Sequence, residues 1–145
     1  MKKLLIVLAL PCLLLTGCHT GPSEQAQKDE LESHVMTVHD QAMNKMGQVY
    51  HLRRDLRALR DSLETQQADT ATLQLLQRHL HLLDQADAAM MDWMHQYQAP
   101  DSLAHQPAMD YLTQQQEKIN DVNAKMDSTL TAARQTYTTY EQKKK

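Results

Sequence analysis

Hydrophobic residues recur every three or four positions in three long stretches of this chain, which predicts three amphipathic α-helices. The expected helices cover about 29–66, about 70–98 and about 107–142. The first stretch consists of Leu31, Val35, Val38, Ala42, Met46, Val49, Leu52, Leu56, Leu59 and Leu63. The second consists of Leu73, Leu76, Leu80, Leu83, Asp87, Met90, Met94 and Tyr97. The third consists of Met109, Leu112, Ile119, Val122, Met126, Leu130, Ala133, Tyr137 and Tyr140.

Helix-breaking and helix-capping residues fall between these stretches. From Ser23 to Ala99 there is no proline and a single glycine, which favours long uninterrupted helices. Ser23 is a candidate N-cap for the first helix, and Asp69 or Thr70 is a candidate for the second. Pro107 suits the first turn of the third helix, where a missing N–H costs nothing.

The three stretches together predict an all-α fold. A single amphipathic helix cannot bury its own apolar face, so we expect an elongated antiparallel up-down-up three-helix bundle with coiled-coil-like packing over 29–142. The chain contains no Phe and few strand formers, in agreement with this class. A dimeric or trimeric coiled coil of extended chains is the alternative, and the turn and cap residues of both connections argue against it.

The first residues have the pattern of an export signal. A basic Met1-Lys2-Lys3 segment precedes an apolar run from Leu4 to Leu15, and small residues follow. The apolar run has about a dozen residues, fewer than the roughly 20 of a membrane-spanning helix. We therefore expect 1–17 to be a removable signal peptide. The alternative is an ordinary signal peptide that is cleaved at another position.

The tetrad Leu15-Thr16-Gly17-Cys18 resembles the signal of bacterial lipoproteins. This resemblance implies cleavage before Cys18 and acylation of Cys18 by several chains, which stable membrane anchoring requires. His19 stands where an Asp tends to retain lipoproteins in the inner membrane, so the resemblance also implies the outer membrane of a Gram-negative bacterium. We expect 18–28, which is polar, to form the lipidated N-terminus and a flexible tether. The other cysteine, Cys12, lies within the expected signal peptide.

Charge argues against nucleic acid as a partner. Loss of Lys2 and Lys3 with the signal peptide leaves 13 Lys and Arg against 18 Asp and Glu, a formal charge of −5. One basic stretch is interleaved with acidic residues, which indicates a solvated, salt-bridged helix face. Its members are Arg53, Arg54, Arg57 and Arg60.

Methionine and histidine residues form the main candidate for chemistry. A chain reversal near residue 68 places one group of the first helix opposite another of the second, with Trp93 among them and Met109 expected at the same level. The candidate ligands are His39, Met43, Met46, Met90 and Met94. Thioether and imidazole groups suit Cu(I). Core packing is the alternative, because Met fills irregular gaps, and a small apolar ligand is another.

Asp87 occupies an apolar position of the second stretch, where a lone carboxylate is costly. The expected register brings Arg53 and Lys118 to its level, so we expect an interhelical ion pair that sets register. A catalytic carboxylate is the functional alternative. No second acid, nucleophile–base pair, phosphate-binding loop or metal motif accompanies it, so the sequence does not predict an enzyme. His79 and His81 diverge on a helix and cannot share an ion on one face.

The chain closes with a basic tail over 143–145. Cations at a helix C-terminus interact favourably with the helix dipole. A second reading comes from the resemblance to small helical outer-membrane lipoproteins, some of which end in a lysine joined to peptidoglycan; here that residue is Lys145.

Three further stretches resemble a family of small exported bacterial proteins catalogued as "viral A-type inclusion protein". The stretches are His39-Asp40-x-x-Met43-x-Lys45-Met46-Gly47, then Ala86-Asp87-x-Ala89-Met90-Met91-x-Trp93-Met94-x-x-Tyr97, then Tyr111-Leu112 with Lys118-Ile119, Val122 and Met126. The resemblance covers about 30–130 and implies an exported helical fold without assigning site residues. Together these observations predict a structural or interaction lipoprotein with a membrane and an envelope protein or peptidoglycan as partners.

Overall fold

The computed structural model describes residues 21–143 and consists of three α-helices within that range. They are α1 (Glu24–Thr65), α2 (Thr70–Gln96) and α3 (His105–Lys143). Each helix packs against both of the others. The prediction of an all-α fold with three packed helices is confirmed.

The predicted N-caps have the expected geometry. The Ser23 hydroxyl accepts a hydrogen bond from the N–H of Ala26 at 3.1 Å. At the start of α2 the Asp69 carboxylate accepts from the N–H of Thr72 at 2.9 Å and from its hydroxyl at 2.7 Å. These two bonds lower the pKa of Asp69, because they stabilise the ionised carboxylate. Asp69, rather than Thr70, is therefore the cap residue.

The helix ends differ from the predicted boundaries in three places. α1 begins at Glu24, so the last part of the predicted 18–28 tether is helical. No breaker lies between Ser23 and the first apolar residues, so the helix extends back to its cap. α2 ends at Gln96 because Tyr97 turns into an extended conformation before Pro100. α3 begins at His105, and Pro107 lies in its first turn as predicted.

The turn between α1 and α2 closes with a left-handed residue. Gln67 has φ of 58°, the single non-glycine residue with positive φ in the described range. Its N–H donates to the carbonyl of Glu64 at 3.0 Å, and the N–H of Ala68 donates to that of Leu63 at 2.9 Å. This is a Schellman motif, which satisfies the last carbonyls of α1 and reverses the chain in few residues.

The core consists of apolar side chains from all three helices. The largest of its fully buried members are Leu56, Leu76, Leu83, Met90, Leu112, Ile119, Met126, Val35 and Val49. All of them belong to the predicted apolar stretches. Burial in α2, however, is shifted from the predicted seam: His79, Ala86 and Trp93 are buried, whereas Asp87 is half-buried and Met94 is exposed. A helix that contacts two neighbours buries a wider and rotated stripe than a two-stranded seam.

Polar contacts between helices follow a regular order. From the start to the end of α1, its partners on the α2 side have successively lower residue numbers. The bonds are Glu32 to Tyr97, Arg53 to Asp84 and Arg60 to Gln77. The α3 partners of α1 instead have successively higher residue numbers. Lys45 donates to Asn123 at 2.6 Å, and Gln48 accepts from Arg134 at 2.9 Å. Between α2 and α3, His79 bonds to Thr136 and Thr72 to Tyr140.

Candidate functional site

Four aromatic rings follow one another across the helices near the start of α1. The rings of His39 and Trp93 have centroids 5.6 Å apart. Trp93 stacks on Tyr97 at 4.9 Å with an interplanar angle of 27°, and Tyr97 lies 6.3 Å from Tyr111. Such pairs contribute packing energy beyond their buried area. The row connects α1, the end of α2 and α3.

Hydrogen bonds hold the tyrosine end of this row. The Tyr97 hydroxyl donates to the Glu32 carboxylate at 3.0 Å, and the Tyr111 hydroxyl accepts from the N–H of Gln98 at 2.9 Å. Burial raises the pKa of Tyr97 well above its usual range, and the hydrogen bond to Glu32 adds to this shift. The indole Nε1 of Trp93 is buried and has no hydrogen-bond partner.

His39 lies at the histidine end of the row and is held by its neighbour. Its Nδ1 is 2.9 Å from a carboxylate oxygen of Asp40, and its side chain is 16% exposed. A carboxylate beside Nδ1 favours the tautomer with the proton on that nitrogen. The Nε2 atom then carries the lone pair, which is the form of imidazole that binds metals.

The structure divides the predicted methionine cluster into two environments. Met90 is fully buried in the core, and Met46 is half-buried against it. Met43 and Met94 are 36% and 38% exposed. The sequence placed these residues at one level but could not separate those that face the interior from those that face solvent.

Two exposed methionines outside the five candidate ligands accompany this group. Met36 and Met91 have exposed side chains comparable with those of Met43 and Met94. Met36 lies three residues before His39 and Met43 four residues after it, so both are its neighbours on the helix surface. That spacing was the signal that could have identified Met36. We call Met36, Met43, Met91 and Met94 with His39 the methionine patch.

Met109 does not have the predicted position. It lines a surface recess with Gln27, Leu31 and His34, nearer the start of α1 than Met43. The expectation that it joins the methionine group is wrong. The bonds from His79 to Thr136 and from Thr72 to Tyr140 show that α3 is displaced along α2, so that residues of higher number face each α2 position than a simple fold-back assumes.

The predicted Asp87 ion pair is only partly present. Arg53 Nη1 lies 3.4 Å from Asp87, but it is closer, at 2.7 Å, to Asp84. Among the described ion pairs, none joins Lys118 to Asp87, and Lys118 is exposed. Asp87 is half-buried rather than enclosed, with 34% of its side chain exposed. The predicted contribution of Lys118 is wrong.

Other charged groups behave as a solvated face. Arg54 pairs with Asp55 and Arg60 with Asp61, both at 2.8 Å on the surface of α1. Such exposed pairs contribute little to stability. The prediction that this basic stretch is salt-bridged with its interleaved acidic residues is confirmed for Arg54 and Arg60, whereas Arg53 pairs with Asp84 of α2.

His79 is a buried polar residue that the sequence did not single out as core. Its Nε2 lies 2.9 Å from the Thr136 hydroxyl, and its Nδ1 is buried without a partner. Burial lowers the pKa of His79, and the neighbouring Arg78 lowers it further. His81 instead bonds to Gln85 on the exposed side of α2, so the two histidines diverge as predicted.

The remaining predictions concern metal ligation, membrane spans and the termini. In the part of the chain that the structure describes, no three or more His, Cys, Asp or Glu side chains are grouped to hold a metal ion. Across the same residues, no helix has the length and apolar character that crossing a bilayer requires. The signal peptide 1–17, Cys18 and Lys145 lie outside the described residues.

Comparisons with known proteins leave the family open. No protein-family model matches the chain, no curated protein is significantly similar in sequence, and no solved structure is significantly similar in fold. The resemblances to bacterial lipoproteins and to the "viral A-type inclusion protein" family stay predictions.

Proposed function

We propose that this chain is a structural or interaction lipoprotein of the bacterial cell envelope, anchored to the membrane through acylated Cys18. The tetrad Leu15-Thr16-Gly17-Cys18 after a basic and an apolar segment carries this proposal. In the proposed mature form Cys18 is the single cysteine, because Cys12 is removed with the signal peptide. The single thiol is then used for attachment.

The proposed body is an elongated up-down-up antiparallel bundle. The order of polar contacts supports this arrangement, since α2 partners run backwards along α1 and α3 partners run forwards. α1 has 42 residues, and such a helix is about 60 Å long. A rod of this length offers side faces to partners while one end stays near the membrane.

The early start of α1 brings this body close to the proposed anchor. Five residues separate Cys18 from Glu24, and a chain of that length reaches at most about 20 Å. The row from His39 to Tyr111 lies at the α1 end nearest the anchor. In the proposed lipoprotein, the aromatic row and the methionine patch are therefore nearer the membrane than the α1–α2 turn is.

Acylation is tested by mass spectrometry of the N-terminal peptide from cells that express the full chain. We expect a peptide that begins at Cys18 and carries acyl chains, and membrane fractionation of the protein. Cys18→Ser should abolish both, whereas the matched Cys12→Ser variant should retain both. A mature N-terminus at another residue, or an unmodified Cys18, contradicts the proposal.

Sorting is tested at His19. The parent protein should fractionate with the outer membrane, and His19→Asp should move it to the inner membrane. His19→Asn is the matched control, because it removes the imidazole without adding a charge. Identical fractionation of all three proteins contradicts the proposed sorting but leaves acylation intact.

The interaction role is tested by in-cell photo-crosslinking from exposed positions. A photoreactive residue at Tyr50, which is well exposed on α1, should give a discrete adduct in intact cells. The same group at the buried Leu56 should not give one. If no exposed position on any of the three helices yields an adduct, the interaction role is contradicted.

A further inference from the structure

Within the methionine patch, His39 lies on the face that α1 turns toward α2, and Met36 and Met43 are its neighbours on the helix surface. On α1, His39, Met46 and Arg53 are seven residues apart and share one stripe. Arg53 reaches Asp84 and Asp87 of α2 at 2.7 Å and 3.4 Å, so this stripe faces α2.

The same spacing places two methionines on the facing side of α2. Met91 follows Asp84 by seven residues and Met94 follows Asp87 by seven, so both lie on the side that meets α1. The ring contact between His39 and Trp93 brings this part of α2 to the level of His39. The imidazole of His39 and the two α2 methionines therefore lie at one level of the two helices.

The patch is open to solvent where the core is not. Met43 and Met94 expose more than a third of their side chains, whereas Met90 is sealed inside. An ion can reach the first two sulfurs without opening the bundle. Met90 and Met46 instead pack with the apolar core, so we do not include them in the proposed ligand set.

The environment of His39 prepares it to bind a metal. Asp40 contacts Nδ1 and favours Nε2 as the free donor, the carboxylate–histidine arrangement that orients metal-ligating histidines. The Trp93 ring beside His39 adds an aromatic face, which attracts cations.

We propose that the methionine patch binds a soft monovalent cation, Cu(I) or Ag(I). The ligands are His39 Nε2 and the thioether sulfurs of Met43 and Met94, and Asp40 is a positioning residue. Thioether and imidazole ligands select soft cations over Mg²⁺ or Ca²⁺, which require oxygen ligands. This binding is independent of the proposed membrane anchoring.

We test the site by titrating the full chain with silver ions in detergent micelles. The chain carries Cys12→Ser and Cys18→Ser, so that no thiol competes for silver. Methionine residues carry ¹³C-labelled methyl groups, and Trp93, the single tryptophan, reports by fluorescence. We expect the Met43 and Met94 methyl resonances to shift and the Trp93 emission to change at micromolar or lower silver. The Met109 resonance should not move.

Substitutions then assign the ligands. Met43→Leu combined with Met94→Leu should weaken silver binding at least tenfold, whereas Met109→Leu is the matched control and should bind like the parent. Asp40→Asn should weaken binding about tenfold, as loss of an outer carboxylate partner does elsewhere. Helical circular dichroism and the urea midpoint establish that each variant is folded.

Three outcomes overturn the proposal. They are unshifted Met43 and Met94 resonances, affinity weaker than micromolar, and unchanged affinity in the doubly substituted protein. If a variant loses its helical signal, the methyl shifts of the unsubstituted protein decide the matter by themselves.

Discussion

The Tyr97 hydroxyl donates a hydrogen bond to Glu32 at 3.0 Å, joining the C-cap residue of α2 to an early turn of α1. The two residues are 65 positions apart in the chain, and their contact closes the bundle end that carries the aromatic row.

Tyr97→Phe should therefore destabilise the protein by about 1.5–3 kcal/mol at neutral pH, the usual value of a hydrogen bond to a charged group. Burial and Glu32 raise the pKa of Tyr97 above its ordinary value of 10.0. The contribution of the phenol is complete below that value and is lost as pH rises above it, because the unfolded chain ionises first. The difference in unfolding free energy between the parent protein and Tyr97→Phe should therefore become smaller at alkaline pH. Urea unfolding at pH 7 and above pH 10 measures it, and Tyr50→Phe is the exposed control.

His79 should make the bundle sensitive to acid. Its pKa is lowered by burial and by Arg78, so the unfolded chain takes up the proton first as pH falls. The stability linked to neutral His79 is complete above about pH 6.5, the unperturbed value, and declines below it. We expect His79→Leu to reduce the loss of urea stability between pH 7.5 and pH 5. His81→Leu, at the exposed neighbour, should leave that loss unchanged; equal behaviour of the two variants contradicts this assignment.

The two adjacent methionines Met90 and Met91 should respond very differently to truncation. Met90 is fully buried, so Met90→Ala leaves a cavity and should cost about 2–5 kcal/mol. Met91 is 40% exposed, and Met91→Ala should change stability by about 0.5 kcal/mol or less. Chemical denaturation of both proteins provides the comparison. Similar losses at both positions would mean that α2 is rotated from the orientation described.

Gln67 offers a stabilising substitution. Its φ of 58° is a left-handed conformation that a side chain disfavours and glycine adopts freely. Gln67→Gly should raise the unfolding free energy by up to about 1 kcal/mol. Gln66, with φ of −84°, is the matched position, and Gln66→Gly should give no gain. Thermal unfolding distinguishes them, and a lower melting temperature for Gln67→Gly contradicts the expected strain relief.

The two ion pairs of Arg53 should contribute modestly to stability, and the pair with Asp84 should contribute more than the pair with Asp87. Both carboxylates are partly exposed, and pairs of this kind are worth about 0–1 kcal/mol. Asp84→Asn should cost more than Asp87→Asn because the Asp84 oxygen is closer to Arg53. Asp87→Leu should leave a soluble, cooperatively unfolding bundle, since Arg53 retains Asp84. Loss of a unique fold in Asp87→Leu would restore the register role that the sequence predicted for Asp87.

Several features followed from local rules. These features depend on residues that are near one another in the chain. They are the caps at Ser23 and Asp69, the position of Pro107 in a first turn, and the solvated ion pairs of Arg54 and Arg60. Local hydrogen bonding and helical periodicity decide such features, so a single sequence is enough to predict them.

Features that depend on two or more helices were predicted less well. Asp87 occupies a seam position by spacing, yet it is only half-buried, whereas His79 and Trp93 are buried. Met109 was placed by assuming a simple fold-back, and the actual connection shifts α3. Neither the rotation of a helix about its axis nor its displacement along a neighbour is encoded in the spacing of one stretch.

The sequence by itself determined the number of helices, their approximate ends, and the candidate acylation residue, because these depend on periodicity, caps and a contiguous tetrad. The tertiary structure alone decided that Met90 is sealed inside while Met43 and Met94 remain open beside His39. A period of 3.6 residues defines an apolar face, but the contacts with two neighbouring helices determine how wide that face is and which of its edges water still reaches.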